Sequence, residues 1–281
     1  MKKNNTFSTI LLLLVLLIGL SLLLYPTFSD WWNNRVQSRA VANYSEIVAN
    51  LDVDKYADFW NAAKAYNESL LPRFNPYLLS EEQKAAYPEV LNIAGDGIMG
   101  YIEIPTINVS LPIYHGTEES VLQVAIGHLN WTSIPTGGAS THCVVSGHRG
   151  LPSARLFTDL DKMVIGDLFM IHVLDETLTY EVDQILIVEP TDTEELLIRQ
   201  GKDLFTLVTC TPYGVNSHRL LVRGHRVENL EEAQIVRVTA DAMIIEKMVV
   251  MPFVLMPILL VMLIALLIST GIQKSRRRKA K

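Results

Sequence analysis

Cysteine is nearly missing from this chain of 281 residues, which holds only Cys143 and Cys210. Two thiols form at most one bridge, so a disulfide-stapled scaffold is excluded, and about 200 residues bury an adequate core without one. Neither cysteine belongs to a CxxC pair and no HExxH pattern occurs, so no metal and no cofactor is expected. Charge is also sparse, at 19% of residues with a net charge of −6. Much of the positive charge lies at the two ends, in Lys2, Lys3 and the tail that begins at Lys274 and ends at Lys281. What lies between is therefore more acidic than the total suggests, and nucleic acid is excluded as a partner. Internal repeats and low-complexity tracts are absent as well.

Apolar runs, by contrast, are present at both ends. Residues 10–25 are almost unbroken Leu, Ile and Val behind Lys2 and Lys3, and residues 248–272 form a second run ahead of the basic tail. The second is long enough to cross a bilayer, the first is shorter, and Pro252 and Pro257 are tolerated in a membrane helix. Positive charge flanks the outer end of each run, so the expected topology has both termini in the cytoplasm and the rest of the chain outside. After the first run, residues 25–32 carry Tyr25, Phe28, Trp31 and Trp32. That is an interfacial aromatic belt, not a small-residue cleavage site, so the first run (within residues 1–29) is read as an uncleaved anchor.

Residues 30–96 read as helical: two helices over 31–51 and 55–70, and a capping box at Ser80 and Gln83 that opens a short helix toward Val90. Between them, residues 71–79 form a loop that bears Phe74 and Tyr77 and is stiffened by Pro72 and Pro76. From 97 to 228 the texture becomes short β-type runs bounded by Gly and Pro: 100–105, 109–114, 142–146, 168–173, 178–189, 204–209 and 220–222. Such punctuation predicts a sandwich or a closed barrel. Short helices are expected over 120–129 and 193–199. A further helix over 229–247 leads to the second span at 248–272 and the cytoplasmic tail at 273–281.

The chemistry gathers around the hairpin formed by residues 205–226. Cys210 closes its first strand and Arg219 opens the return strand, with Pro212, Gly214 and Asn216 in the turn. A strand-terminal cysteine taken alone is more often an inert core residue. A working thiol needs a base or a cation nearby, since its free pKa is about 8.5. Among seven histidines, His148 stands out, because it follows a β run that breaks at Gly147 and is flanked again by Gly150. His115, His128, His172 and His225 read as hydrogen-bonded surface histidines. Arg219 can be a solvated strand charge, yet its fixed fork of donors also suits an oxyanion. Thiol, imidazole and guanidinium together fit acyl transfer through a thioester. Cys143 lies five residues before His148, hence on the opposite parity of the strand, and is read as a core residue.

Thr206-Leu207-Val208-Thr209-Cys210 resembles the TLxTC signature of sortases, and Ser146-Gly147-His148-Arg149 with Arg219 supplies that family's His, Cys and Arg in the same chain order. The resemblance covers about residues 97–227. It implies a mainly β protein: a sortase-type eight-stranded barrel with short helices, preceded by N-terminal helices and flanked by two transmembrane helices. It further implies Cys210 as nucleophile on the Thr–Gly bond of an LPxTG-like sorting signal, His148 as acid and base, and Arg219 as stabiliser of the oxyanion or substrate. The second span and the aromatic loop resemble the pilus-assembling class C, with Phe74, Asn75, Pro76 and Tyr77 as lid. Where class C usually has Asp-Pro-aromatic, this chain has Asn75-Pro76-Tyr77, which brings no negative charge. The implied partners are pilins or surface proteins with such signals, and an acceptor amine from a pilin lysine. Two alternatives are a sortase that uses a peptidoglycan-precursor amine, and an inactive membrane-tethered scaffold with a Cys143–Cys210 disulfide.

Overall fold

Eight short strands close on themselves in the computed structural model, which describes residues 5–71 and 73–229. The expected second span, the basic tail and all but the first residue of the helix expected over 229–247 lie outside the described residues. The strands are β1 (Ile98–Ile104), β2 (Val109–His115), β3 (Ile126–His128), β4 (Thr141–Ser146), β5 (Leu168–Val173), β6 (Glu176–Val188), β7 (Asp203–Thr211) and β8 (His218–Arg226). They follow one another around the barrel as β1-β2-β3-β4-β7-β8-β6-β5. Neighbours are antiparallel except β2 with β3 and β4 with β7, which run parallel. Closure leaves no unpaired edge and resolves the choice between sandwich and barrel.

The interior is filled by alternate residues of each strand. Ile102, Ile113, Val145, Phe169, Phe205, Leu207 and Val222 are all fully buried there. Phe169, Tyr180 and Phe205 stack in a trio with ring centroids 5.4–5.8 Å apart. Gly224 belongs to that trio, since a Cβ on it would meet the Phe169 ring at 2.7 Å. The intervening residues Val144, Val208 and Leu221 form a second apolar cluster on the outside of β4, β7 and β8, covered by Leu196 and edged by Trp131. Both faces of these strands are therefore buried, which is why they read as continuous apolar runs instead of alternating ones.

One expected helix is corrected. Residues 120–129 do not form a single helix: α4 (Glu119–Leu122) makes one turn, and the chain then becomes strand β3. Gly127 accounts for the switch, because a Cβ there would lie 2.1 Å from the Gly116 carbonyl oxygen. Only glycine permits this close approach of backbones, and the flanking Ile126 and His128 gain full burial. The helix expected over 193–199 shrinks to a 3-10 turn, Glu194–Leu196.

The chain up to Ser29 and the described chain from Asp30 onward fall into separate compact units. Helix α1 (Asn5–Ala49) takes in the first apolar run and most of the helix expected over 31–51, with Pro26 inside it. It is long and apolar enough to cross a membrane. Beyond Asp30 it packs on the barrel: Gln37 Nε2 donates to the Val124 carbonyl at 2.6 Å. The buried Tyr44 hydroxyl donates to Met99 O at 3.3 Å and accepts from Leu174 N at 2.9 Å. Helix α2 (Val53–Leu70) follows, then the 71–79 arm and α3 (Glu81–Ala86). The capping box is formed, with Gln83 N donating to Ser80 Oγ at 3.1 Å and Ser80 N donating to Gln83 Oε1 at 2.9 Å.

Candidate active site

Two strand pairings assemble the site. In the antiparallel hairpin β7–β8, Cys210 is the direct partner of Arg219. In the parallel pair β4–β7 the register runs to Ser146 opposite Val208. Beyond that point the chains stay tied: Gly147 N donates to Val208 O at 3.0 Å, and Thr209 Oγ1 donates to Gly147 O at 2.7 Å. Two residues on, Arg149 Nη1 donates to Thr211 Oγ1 at 3.2 Å. His148 and Cys210 are thus bracketed by bonded neighbours, and the continued register sets them level at the ends of adjacent parallel strands. Strand alternation puts Cys210 on the side of Val208, and Arg219 on the side of Leu221. Both belong to the outer face, a continuation of the Val144–Val208–Leu221 cluster.

The loop that carries His148 is braced locally. Gly147 has no room for a side chain, since a Cβ would meet Ile126 and Phe157 at 2.8 Å. Gly150 has φ +78° and lies under Tyr213, whose ring would be 2.7 Å from a Cβ. Both conditions select glycine. Arg149 pairs with Asp161 and lies 6.0 Å from the centroid of the Tyr213 ring, so the loops after β4 and β7 are clasped together. His148 Nε2 is shielded from solvent, has no hydrogen-bond partner among the described residues, and lies 3.8 Å from Glu119 Oε2. Arg219 Nη1 donates to the carbonyl oxygens of Asn216 and His218 at 3.3 and 3.1 Å. Those contacts tie one amino group of the guanidinium to the backbone of the turn.

The remaining candidates fall away from this cluster. Cys143 lies inside the barrel, where burial pushes its thiol well above the usual range. Both cysteines are free. Cys143 sits opposite Phe205, so Cys210 is five residues further along the strand pair. That is about 16 Å, more than twice the reach of a disulfide, and the bridged-scaffold alternative is set aside. His128, expected at the surface, is corrected to a fully buried position on β3. It and His142 are buried and neutral, their pKa values pushed down to about 3 and about 4 by desolvation. His128 is fixed by the Tyr87 hydroxyl (2.9 Å) and Ser133 O (2.8 Å), and His142 by Leu197 O (2.9 Å) and Thr206 Oγ1 (2.7 Å).

The arm touches the edge of the outer-face cluster at Trp131. Tyr77 packs edge-on against Trp131 at 5.1 Å, and Arg73 Nη2 donates to Trp131 O at 2.8 Å. Phe74 is fully exposed. Asn75 makes local bonds: its Oδ1 accepts from Tyr77 N at 3.0 Å and its carbonyl accepts from Leu78 N at 3.2 Å.

Comparison with known proteins decides the family. The sortase domain model matches residues 102–227. The crystal structure of sortase C1 from Streptococcus agalactiae is 51% identical, with a TM-score of 0.65, and covers 68% of this chain and 100% of its own. The chain belongs to the sortase family. Its members are cysteine transpeptidases. Other class C sortases align as well: sortase C of Streptococcus pneumoniae at 44% identity and TM-score 0.60 (68% of this chain, 97% of that one), and sortase C-1 of Actinomyces oris at 47% and 0.57 (62% and 99%). The match to sortase D of Bacillus subtilis, 30% identical, takes in 46% of this sortase and 63% of that protein.

Three residues that shape the site have weak sequence signals. Thr209 is legible only as part of the Cys210 motif, and Arg149 only as the neighbour of His148. Glu119 reaches His148 through the fold alone.

Proposed function

We propose that this sortase is a membrane-anchored, pilus-assembling class C transpeptidase whose chemistry runs through Cys210, His148 and Arg219. The observation that carries the reading is the double register, Cys210 opposite Arg219 and level with His148. The Cys210 thiolate attacks the threonine carbonyl carbon of an LPxTG-like signal. The oxyanion that forms is met by the free donors of Arg219, fixed in advance by its backbone contacts. Collapse breaks the Thr–Gly bond. The leaving glycine amine takes a proton from the His148 imidazolium, and a thioester remains on Cys210. A lysine amine of the next pilin then attacks the thioester, His148 takes the proton it sheds, and an isopeptide bond forms as the thiolate leaves.

The barrel stands outside the cell with both termini in the cytoplasm in this reading, supported by the apolar N-terminal helix. The arm serves as lid. Tyr77 rests on Trp131, which edges the apolar cluster on the same outer face of β4, β7 and β8. Asn75 spends its side chain on the local turn, so the arm is held by the Tyr77 contact and the Arg73 hydrogen bond and not by a carboxylate at position 75. The test mixes the full chain with a sorting peptide and two acceptors, a pilin lysine and a wall-peptide amine, and identifies products by mass spectrometry. Isopeptide product with the lysine is expected. Product only with the wall amine would replace the pilin reading by the wall-anchoring one.

A further inference from the structure

We propose that the end of the barrel carrying Cys210 and His148 docks directly on the lipid surface, a placement that rests on the membrane-anchored reading above. Strands β4 and β7 run parallel and both finish at this end, β8 starts there, and β5, antiparallel to β6, starts there too. The loops at this end carry large apolar side chains turned to solvent: Val164 and Ile165 ahead of β5, each 60% exposed, and Tyr213 and Val215 between β7 and β8, at 53% and 71%. On α1, Trp31 and Trp32 are 55% and 53% exposed. Outside the arm, none of the exposed large apolar side chains from Trp31 onward belongs to the opposite end of the barrel, among the described residues. An exposed apolar patch of this kind marks an interaction surface.

Chain connectivity names the occupant. Asp30 Oδ1 accepts from Arg155 N at 3.0 Å and Asn33 Nδ2 donates to Ser153 O at 2.6 Å, so α1 meets the barrel at the loop that begins with His148. Tyr25, the last residue of the apolar run, precedes Asp30 by five residues. Whatever angle the apolar segment takes, five residues reach at most about 18 Å. The bilayer surface therefore lies within that distance of the His148 loop, and Trp and Tyr are the side chains that favour the headgroup layer. Loops tipped with Tyr213, Val215, Val164 and Ile165 bury apolar area there. The thioester would then form at the headgroup layer, and a donor peptide would enter along the membrane and not from above it.

The experiment uses the full chain in phosphatidylglycerol vesicles that hold a lipid with a nitroxide near its headgroup. A fluorophore is attached to V215C or A139C in a C210A background, in which the buried Cys143 stays unlabelled. Ala139 is exposed at the start of β4, at the opposite end of the barrel. Emission at position 215 should be lost to the nitroxide and emission at 139 retained, with I165C repeating the result for 215. Equal quenching at 215 and 139, or stronger quenching at 139, overturns the docking while leaving the anchor intact. Failure of the protein to float with the vesicles removes the membrane reading, and the docking with it.

Discussion

Cys143 and Cys210 lie on neighbouring parallel strands of one barrel and could hardly be placed more differently. Cys143 points inward, 3% exposed, in a core where desolvation holds it as a thiol. Cys210 ends its strand on the outer face, partly exposed, with Arg219 as its direct strand partner and His148 just past the end of the adjacent strand. The difference is one of strand parity and position along the strand, not of residue type. A barrel interior makes a cysteine a small hydrophobe, and the end of the same sheet is where the proposed nucleophile stands.

The comparison breaks most visibly under substitution. Cys210→Ala should lower transpeptidation by roughly 10⁴-fold or more, whereas Cys143→Ala should leave the rate unchanged; comparable losses at both would erase the distinction. Arg219→Ala should lower kcat by roughly 10²–10³-fold, the usual loss for an oxyanion donor. Arg219→Lys should restore part of it, and single-turnover kinetics separates this from weaker binding.

A third prediction concerns the buried histidines beside Cys143. Their folded pKa values, about 3 for His128 and about 4 for His142, lie below the ordinary 6.5. The unfolded chain therefore binds protons that the folded chain refuses. The stability they confer is complete above about pH 6.5 and declines as pH falls toward 4 and 3, by about 1.4 kcal/mol per pH unit for each. Urea midpoints at pH 7 and 4.5 should show this loss, and His142→Asn should flatten it. Cys143→Ala should destabilise by about 1–2 kcal/mol at pH 7, read by the same midpoints. The smallest effect belongs to the arm: Tyr77→Ala removes an aromatic contact worth about 0.5–1.5 kcal/mol and should speed alkylation of Cys210 about two- to tenfold. An unchanged rate would mean that Tyr77 does not hold a cover over the thiol.

Much of this architecture is legible in local sequence. The hairpin at residues 205–226 announces itself through β-branched runs around a Pro/Gly/Asn turn, and β5 spans the same residues as its apolar run, Leu168–Val173. The Ser80–Gln83 box is visible because both partners lie within four residues. Strand β3 is hidden because three residues carry too little periodicity, and the close approach of Gly127 to Gly116 is a long-range fact. The parity of Cys143 could be read from its spacing to His148. The parallel β4–β7 register, which brings His148 beside Cys210, could not, because parallel pairing leaves no turn between its strands to read.

Trapping the acyl-enzyme tests the central claim most directly. The full chain is incubated with an LPxTG-like peptide without acceptor amine, quenched in acid, digested and sequenced by mass spectrometry. The account predicts the peptide, cleaved after threonine, in thioester linkage to Cys210 and absent from Cys143. An adduct on Cys143, or turnover with no adduct on Cys210, would contradict it.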